Sequence, residues 1–262
     1  MSGYILCQIP RTSVPYYIES ISTNIYSIEE LCYFFHQNLY LIDRSILNPT
    51  LYLWLKEQLG LKKLSQKLQN AEEKHLEGIR EFVYPVFKEI NYLSYEDMKE
   101  YDNQVTKLEK ELPYVRVKMK GDSLVENGMY VNALKVYQEL LKKYERTETI
   151  PSSFIGNIYH NAGCAYSYLF QKEEALECFE KAYHLLQTEE TLQSYLLSFY
   201  NGKTPQQYQQ KLEELGVDVQ TRQELQKKID AVLKEKKLSI SENEIDGMIA
   251  RMMKEYHRST GS

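Results

Sequence analysis

From Ser27 to the C-terminus, apolar residues recur three and four positions apart, the period of a helix with one buried face. A start signal precedes most runs. Ser27, with Glu30 three residues on, makes a capping box ahead of Leu31, Phe34 and Phe35. Asn48-Pro49 supplies a cap and a first-turn proline ahead of Leu51, Leu53, Trp54 and Leu55, and Gly60 ends that helix. Ile79, Phe82, Val83, Val86, Phe87 and Ile90 follow at helical spacing, with Pro85 predicted to kink or break the run. Ser94 and Asp97 open another helix, which ends before Pro113. Beyond residue 216, Thr221 with Glu224 and Ser241 with Glu244 form two more capping boxes. The last leads into a stripe of Ile245, Met248, Ile249, Met252 and Tyr256. The expectation is that this stripe packs over the end of its own domain, with a partner-binding or dimerising face as the alternative.

Only residues 1–26 carry strand character. Gly3–Ile9 and Tyr16–Ile21 are rich in β-branched and aromatic residues and are separated by Pro10 and Pro15, which predicts a small hairpin across 3–21.

Between residues 113 and 216 the chain repeats itself. At an offset of 42 residues, Gly121 aligns with Gly163, Leu124 with Tyr166, Ala133 with Ala175, Tyr137 with Phe179 and Leu140 with Ala182. Each match has a packing reason. A small residue in the first helix lets a partner helix approach, an alanine early in the second sits at the crossing, and the aromatic four residues later plugs the seam.

This pattern resembles the tetratricopeptide repeat. Asn157–Tyr183 carries Tyr159, Ala162, Gly163, Tyr166, Ala175, Phe179 and Ala182 in the family's positions, and Val115–Leu141 fits with Gly128 and Tyr130 at its turn. The usual period is about 34, and the extra residues fall where the second helix runs on to Tyr144 and into the loop to Pro151. A third, divergent unit keeps Phe199, Tyr208, Leu212 and Leu215 at seam positions and starts its second helix at Thr204-Pro205. The resemblance implies an all-α fold of helical hairpins in a right-handed superhelix, with the possible small β-hairpin at the N-terminus. It divides the chain into a mainly helical region 1–112, repeats over 113–216, and capping helices over 217–262.

Composition narrows the function. Net charge is −5, so no overall field draws the chain to nucleic acid, and no basic recognition helix is present. No run of about 18 apolar residues exists to insert in a membrane. The four cysteines, Cys7, Cys32, Cys164 and Cys178, are widely spaced without a CxxC pair, as in a reduced cytoplasmic protein. The 23 tyrosines suit helix seams first and interfaces second.

The chemistry-bearing motifs are missing. The histidines show no zinc-ligand spacing, and Gly202-Lys203-Thr204 lacks the glycine a phosphate loop needs, since Leu197 stands there. His160 and Cys164 share a helix face but have no orienting third group. No catalytic residue, metal or cofactor is therefore assigned, and the chain reads as a non-enzymatic scaffold.

The resemblance implies that the first helix of each pair lines a concave groove for a peptide or partner helix. By alignment the groove takes Val115, Lys118, Asp122 and Val125 from the first unit, and Asn157, His160, Asn161, Cys164, Ser167 and Tyr168 from the second. A subset of the family clamps C-terminal carboxylates. Here Lys118 and Asn161 fit that subset, but Asp122 replaces an asparagine, and Glu190, Thr191, Ser194 or Tyr195 stand where the third unit needs cations. The expected partner is another protein or peptide, bound by an adaptor. The alternatives are a peptide-responsive regulator and an enzyme housed in the N-terminal region.

Overall fold

A computed structural model describes residues 9–42, 46–73, 78–144, 150–235 and 242–260. Among them are thirteen α-helices and one two-stranded sheet, so the all-α class holds, and helices adjacent in sequence pack together. No helix in the described residues is long and apolar enough to cross a membrane. The chain divides into two compact units, Met1–Ser123 and Leu124–Ser262.

In the first unit, strand β1 (Tyr16–Ile18) pairs antiparallel with β2 (Thr23–Ile25), Tyr16 opposite Ile25. A tight 3₁₀ turn over Glu19–Ile21, closed by Ser22 at φ +47°, joins them. The hairpin therefore lies later than 3–21. Tyr16–Ile18 pairs with the strand after it, and residues 3–8 of the expected first strand lie outside the described residues.

Helix α1 (Ile28–Gln37) starts as its capping box requires, with the Glu30 N–H donating to Ser27 Oγ at 3.2 Å. The Glu30 carboxylate reaches past the cap to accept from the Tyr26 N–H, and it also accepts from Arg11 at 2.9 Å. Asn48 caps α2 (Pro49–Leu53), accepting from the Leu51 N–H at 2.9 Å. A wide π-type turn continues over Trp54–Gln58, and Gly60, at φ +71°, ends the segment.

Helices α3 (Lys62–Glu73), α4 (Arg80–Glu89) and α5 (Tyr95–Lys110) complete the layer. Pro85 does not break α4, which runs through it. The bond that proline removes is the one to the Glu81 carbonyl, and Glu81 is exposed. Phe82, Val83, Val86 and Phe87 around it are fully buried, and that burial holds the helix together across the gap.

The core of this unit joins residues far apart in sequence. Phe35, Phe82, Phe87 and Tyr101 are buried together, and the Tyr101 hydroxyl donates to the Phe35 carbonyl at 3.0 Å. Trp54 donates its indole N–H to the Val14 carbonyl at 2.9 Å. Arg80 ties α4 to α5 through Asp102 at 2.7 Å, Thr106 at 2.6 Å and Glu109. Tyr84 also donates to Asp102, and these two bonds, Tyr84's first, hold the Asp102 carboxyl below its usual pKa.

The division between the units falls inside α6 (Pro113–Glu126). The second unit continues with α7 (Tyr130–Tyr144), α8 (Ser152–Tyr168), α9 (Lys172–Leu186), α10 (Glu189–Gly202) and α11 (Pro205–Glu214). Each helix from α7 to α11 packs on the next one or two in sequence. Small residues in α8, the aligned Gly163 and the additional Gly156, are where that closeness is made. A Cβ on Gly163 would come 2.8 Å from the Phe179 ring, and one on Gly156 would come 2.6 Å from Leu186. Ala133, Tyr137, Leu140, Ala175, Phe179 and Ala182 are all buried, as the repeat pattern requires. In the divergent third pair, Thr204 and Gln207 form a reciprocal capping box, and Tyr208 and Leu212 are buried with Leu196.

Two end elements differ from expectation. Helix α12 (Val219–Glu235) starts two residues before Thr221, capped by Asp218, whose carboxylate accepts from the Thr221 N–H at 3.0 Å and its hydroxyl at 2.7 Å. Ser241 lies outside the described residues. Helix α13 (Glu242–Thr260) lies beside α7, but its apolar stripe is not buried there. Helix α7 already buries Ala133, Leu134, Tyr137 and Leu140, leaving the exposed Lys135, Gln138 and Glu139 as no surface for that stripe.

Candidate partner-binding face

The predicted groove residues separate into two groups. Val115, Lys118 and Asp122 lie on α6 in the first unit, and Lys118 pairs with Asp122, Nζ to Oδ2 at 2.6 Å, one helical turn apart. The cation that the resemblance offers to a ligand carboxylate is thus already neutralised by its own neighbour. The remainder lie in the second unit: Val125 half-buried at the end of α6, and Asn157, His160, Asn161, Cys164, Ser167 and Tyr168 on α8.

Helix α9 packs on both α8 and α10, which brings the first helices of two successive pairs to one side. His160 on α8 meets Ser194 on α10, Nε2 to Oγ at 3.1 Å, and rests edge-on against Phe179 at 5.5 Å between ring centres. It is therefore not paired with Cys164, whose thiol is pushed up by burial and then by Glu190. Ser167 turns its hydroxyl back to the Gly163 carbonyl at 2.8 Å. Asn157 is exposed and Asn161 half-buried. Tyr168 stacks flat on Tyr130, ring centres 4.5 Å apart. Of the third-unit positions, Thr191 and Tyr195 are buried in the seam, and Tyr195 donates to Glu180 at 2.7 Å instead of facing a ligand.

At the end of this face is a cleft of about 330 Å³, lined by Ser167 of α8, Phe170 of the turn, Lys172 and Phe179 of α9, and Ser194, Leu197 and Asn201 of α10. Its floor is apolar. Among the described lining residues Lys172 carries the only charge, and its ammonium rests on the Asn201 carbonyl at 3.4 Å.

Phe170 and Lys172 were not among the residues the sequence pattern nominated. Phe170 is 81% exposed and stands at φ +58°, in the left-handed region. At the offset of 42 that aligns the repeats, its counterpart is Gly128, at φ +74°. The first two pairs each place a left-handed residue after their first helix, a position that glycine fills without steric cost. A phenylalanine there costs about 1–2 kcal/mol and gains nothing from burial. The mismatch Gly128 against Phe170 was the available signal.

No protein-family model matches the chain, and neither a curated protein nor a solved structure does.

Proposed function

We propose that the second unit is a tetratricopeptide-like adaptor module that holds an extended peptide or partner segment against the α8–α10 face. An apolar side chain of the partner enters the cleft over Phe179 and Leu197 under Phe170, and an acidic group lies by Lys172. The observation that carries this reading is the exposed aromatic at a backbone position built for glycine. A strained residue with no role in the fold is most economically explained by what it contacts outside it. The neutralised Lys118–Asp122 pair argues against a carboxylate clamp. The reading assigns no catalytic step. Burial pushes the Cys164 and Cys178 thiols up, away from the thiolate form a nucleophile needs.

The test is selection from a random peptide library, followed by binding to Phe170→Gly and Lys172→Glu. Phe170→Gly relieves the left-handed strain, so the fold is expected to keep or gain up to about 1 kcal/mol. Selected peptides are expected to share an apolar residue near an acidic one and to lose at least tenfold in affinity to both variants. Peptides that bind both variants as they bind wild type would remove the cleft from consideration.

A further inference from the structure

The α8–α10 face carries charge at its two ends and none on either helix between them. Helices α8 and α10 run the same way along it. His160 meets Ser194, and about two turns further along both helices Ser167 and Asn201 line the same cleft. Helix α8 contributes no Asp, Glu, Lys or Arg over its whole length, and α10 contributes only Glu189 and Glu190. These two acids face different ways. Glu189 answers the positive end of the helix and accepts from Gln193 at 3.0 Å. Glu190 is exposed, and the helical period puts it on one stripe with Ser194, Leu197 and Asn201, which α10 gives to the cleft. Burial first, and then this carboxylate, push the Cys164 thiol of α8 up, so its field reaches across the face. Among the described residues Glu190 takes part in no ion pair.

Lys172 stands at the other end, its ammonium on the Asn201 carbonyl. Its neighbours Glu173 and Glu174 lie about 100° and 200° further round α9, turned away from the stripe of Lys172, Ala175 and Phe179 that lines the cleft. Along α10, Glu190 and Asn201 are about 16 Å apart, a length that an extended chain covers in about five residues. We infer that the partner is a short charge-segregated peptide segment, with a lysine or arginine over Glu190, roughly three to five residues from the apolar residue in the cleft. The inference rests on the reading that the cleft takes an apolar residue beside an acidic one. Turned end for end, such a segment sets its acid on Glu190 and its base on Lys172, so the two charges fix its direction. A wholly acidic segment, which Lys172 alone would admit, is repelled at the Glu190 end. The exposed Glu190 therefore selects more than it strengthens.

Peptide selection on the full chain tests this, with wild type and Glu190→Lys run in parallel. Glu190→Lys and Glu190→Gln are expected to melt close to wild type, because the position is exposed. Peptides selected on wild type should carry the basic residue. Those selected on Glu190→Lys should carry an acidic residue in its place and keep the same apolar and acidic anchor. Replacing the basic residue of a wild-type peptide by alanine should weaken binding to wild type about fivefold and leave binding to Glu190→Gln unchanged. Peptides that depend on Phe170 and Lys172 but show no basic preference overturn the charge order and leave the cleft standing. Equal losses on wild type and Glu190→Gln do the same. Peptides indifferent to Phe170→Gly and Lys172→Glu, or a selection that yields no binder, remove the cleft itself and this inference with it.

Discussion

The two units reach stability by different routes. In the first, contacts join places far apart in the chain: Trp54 reaches Val14, Tyr101 reaches Phe35, and Arg80 reaches Glu109. Its core uses large aromatics, and polar tips pin them to distant carbonyls. In the second, helices α7 to α11 pack on near neighbours in sequence, and closeness comes from what is absent: a side chain at Gly163 and Gly156, and large ones at Ala133, Ala175 and Ala182. A structure of the first kind is lost as a whole. One of the second kind opens locally, because each pair depends mainly on its neighbours.

The largest expected effect tests the first half of that contrast. Trp54→Ala removes a buried ring and its bond to Val14, and it should destabilise the first unit by about 3–5 kcal/mol. Hydrogen exchange should show β1, α1 and α4 losing protection together. Loss confined to α2 would mean that this unit, too, is assembled from independent pieces.

Gly163→Val comes next, at about 1–3 kcal/mol, since its Cβ meets the Phe179 ring and the ring cannot retreat from a packed seam. Exchange should rise in α8 and α9 and much less in α12. If shortening the ring with Phe179→Leu recovers no stability in the double variant, the steric account of the repeat is wrong.

The smallest effect is electrostatic. Asp102 has its folded pKa depressed, so its contribution is present above the unfolded value near 4 and fades as pH falls through the folded one. Between about pH 5 and pH 3, urea titrations of wild type should lose stability that Asp102→Asn, already weaker at neutral pH, does not lose. Parallel slopes for the two proteins would show that the Arg80–Asp102 tie contributes little in solution, as many part-exposed ion pairs do.

Local signals were legible wherever one residue type satisfies one physical demand. Ser27, Asn48, Ser94 and Thr204 all cap the helices that the sequence assigns to them, since a free N–H at a helix start has few remedies. The aligned glycine and alanines were legible because crossing helices exclude larger side chains. Where two signals overlap, the sequence underdetermines the outcome. Asp218 and Thr221 can each open α12, and the carboxylate prevails by accepting two bonds from Thr221 while adding a turn. Of the two outcomes expected at Pro85, a kink or a break, the break does not occur, because the apolar burial around it outweighs one missing bond to an exposed turn. The hairpin was placed early because strand propensity names strands but not partners. For the candidate site, α8 was legible through the repeat, while the cleft at its end was not. Phe170 sits in the turn and Lys172 at the first position of α9, where pattern gives way to conformation, and only the comparison of Phe170 with Gly128 exposes the anomaly.

The half-buried Cys178 carries a consequence for watching this molecule move. Burial, with Lys181 pulling the other way, pushes its thiol up to about 11, so at neutral pH roughly one such group in ten thousand is ionised. Each time α9 lifts from its neighbours, the ordinary acidity returns and the reactive fraction climbs about a hundredfold. With Cys7, Cys32 and Cys164 replaced by serine, a thiol reagent added in excess therefore reads the breathing of α9 as a clock, with no label to attach.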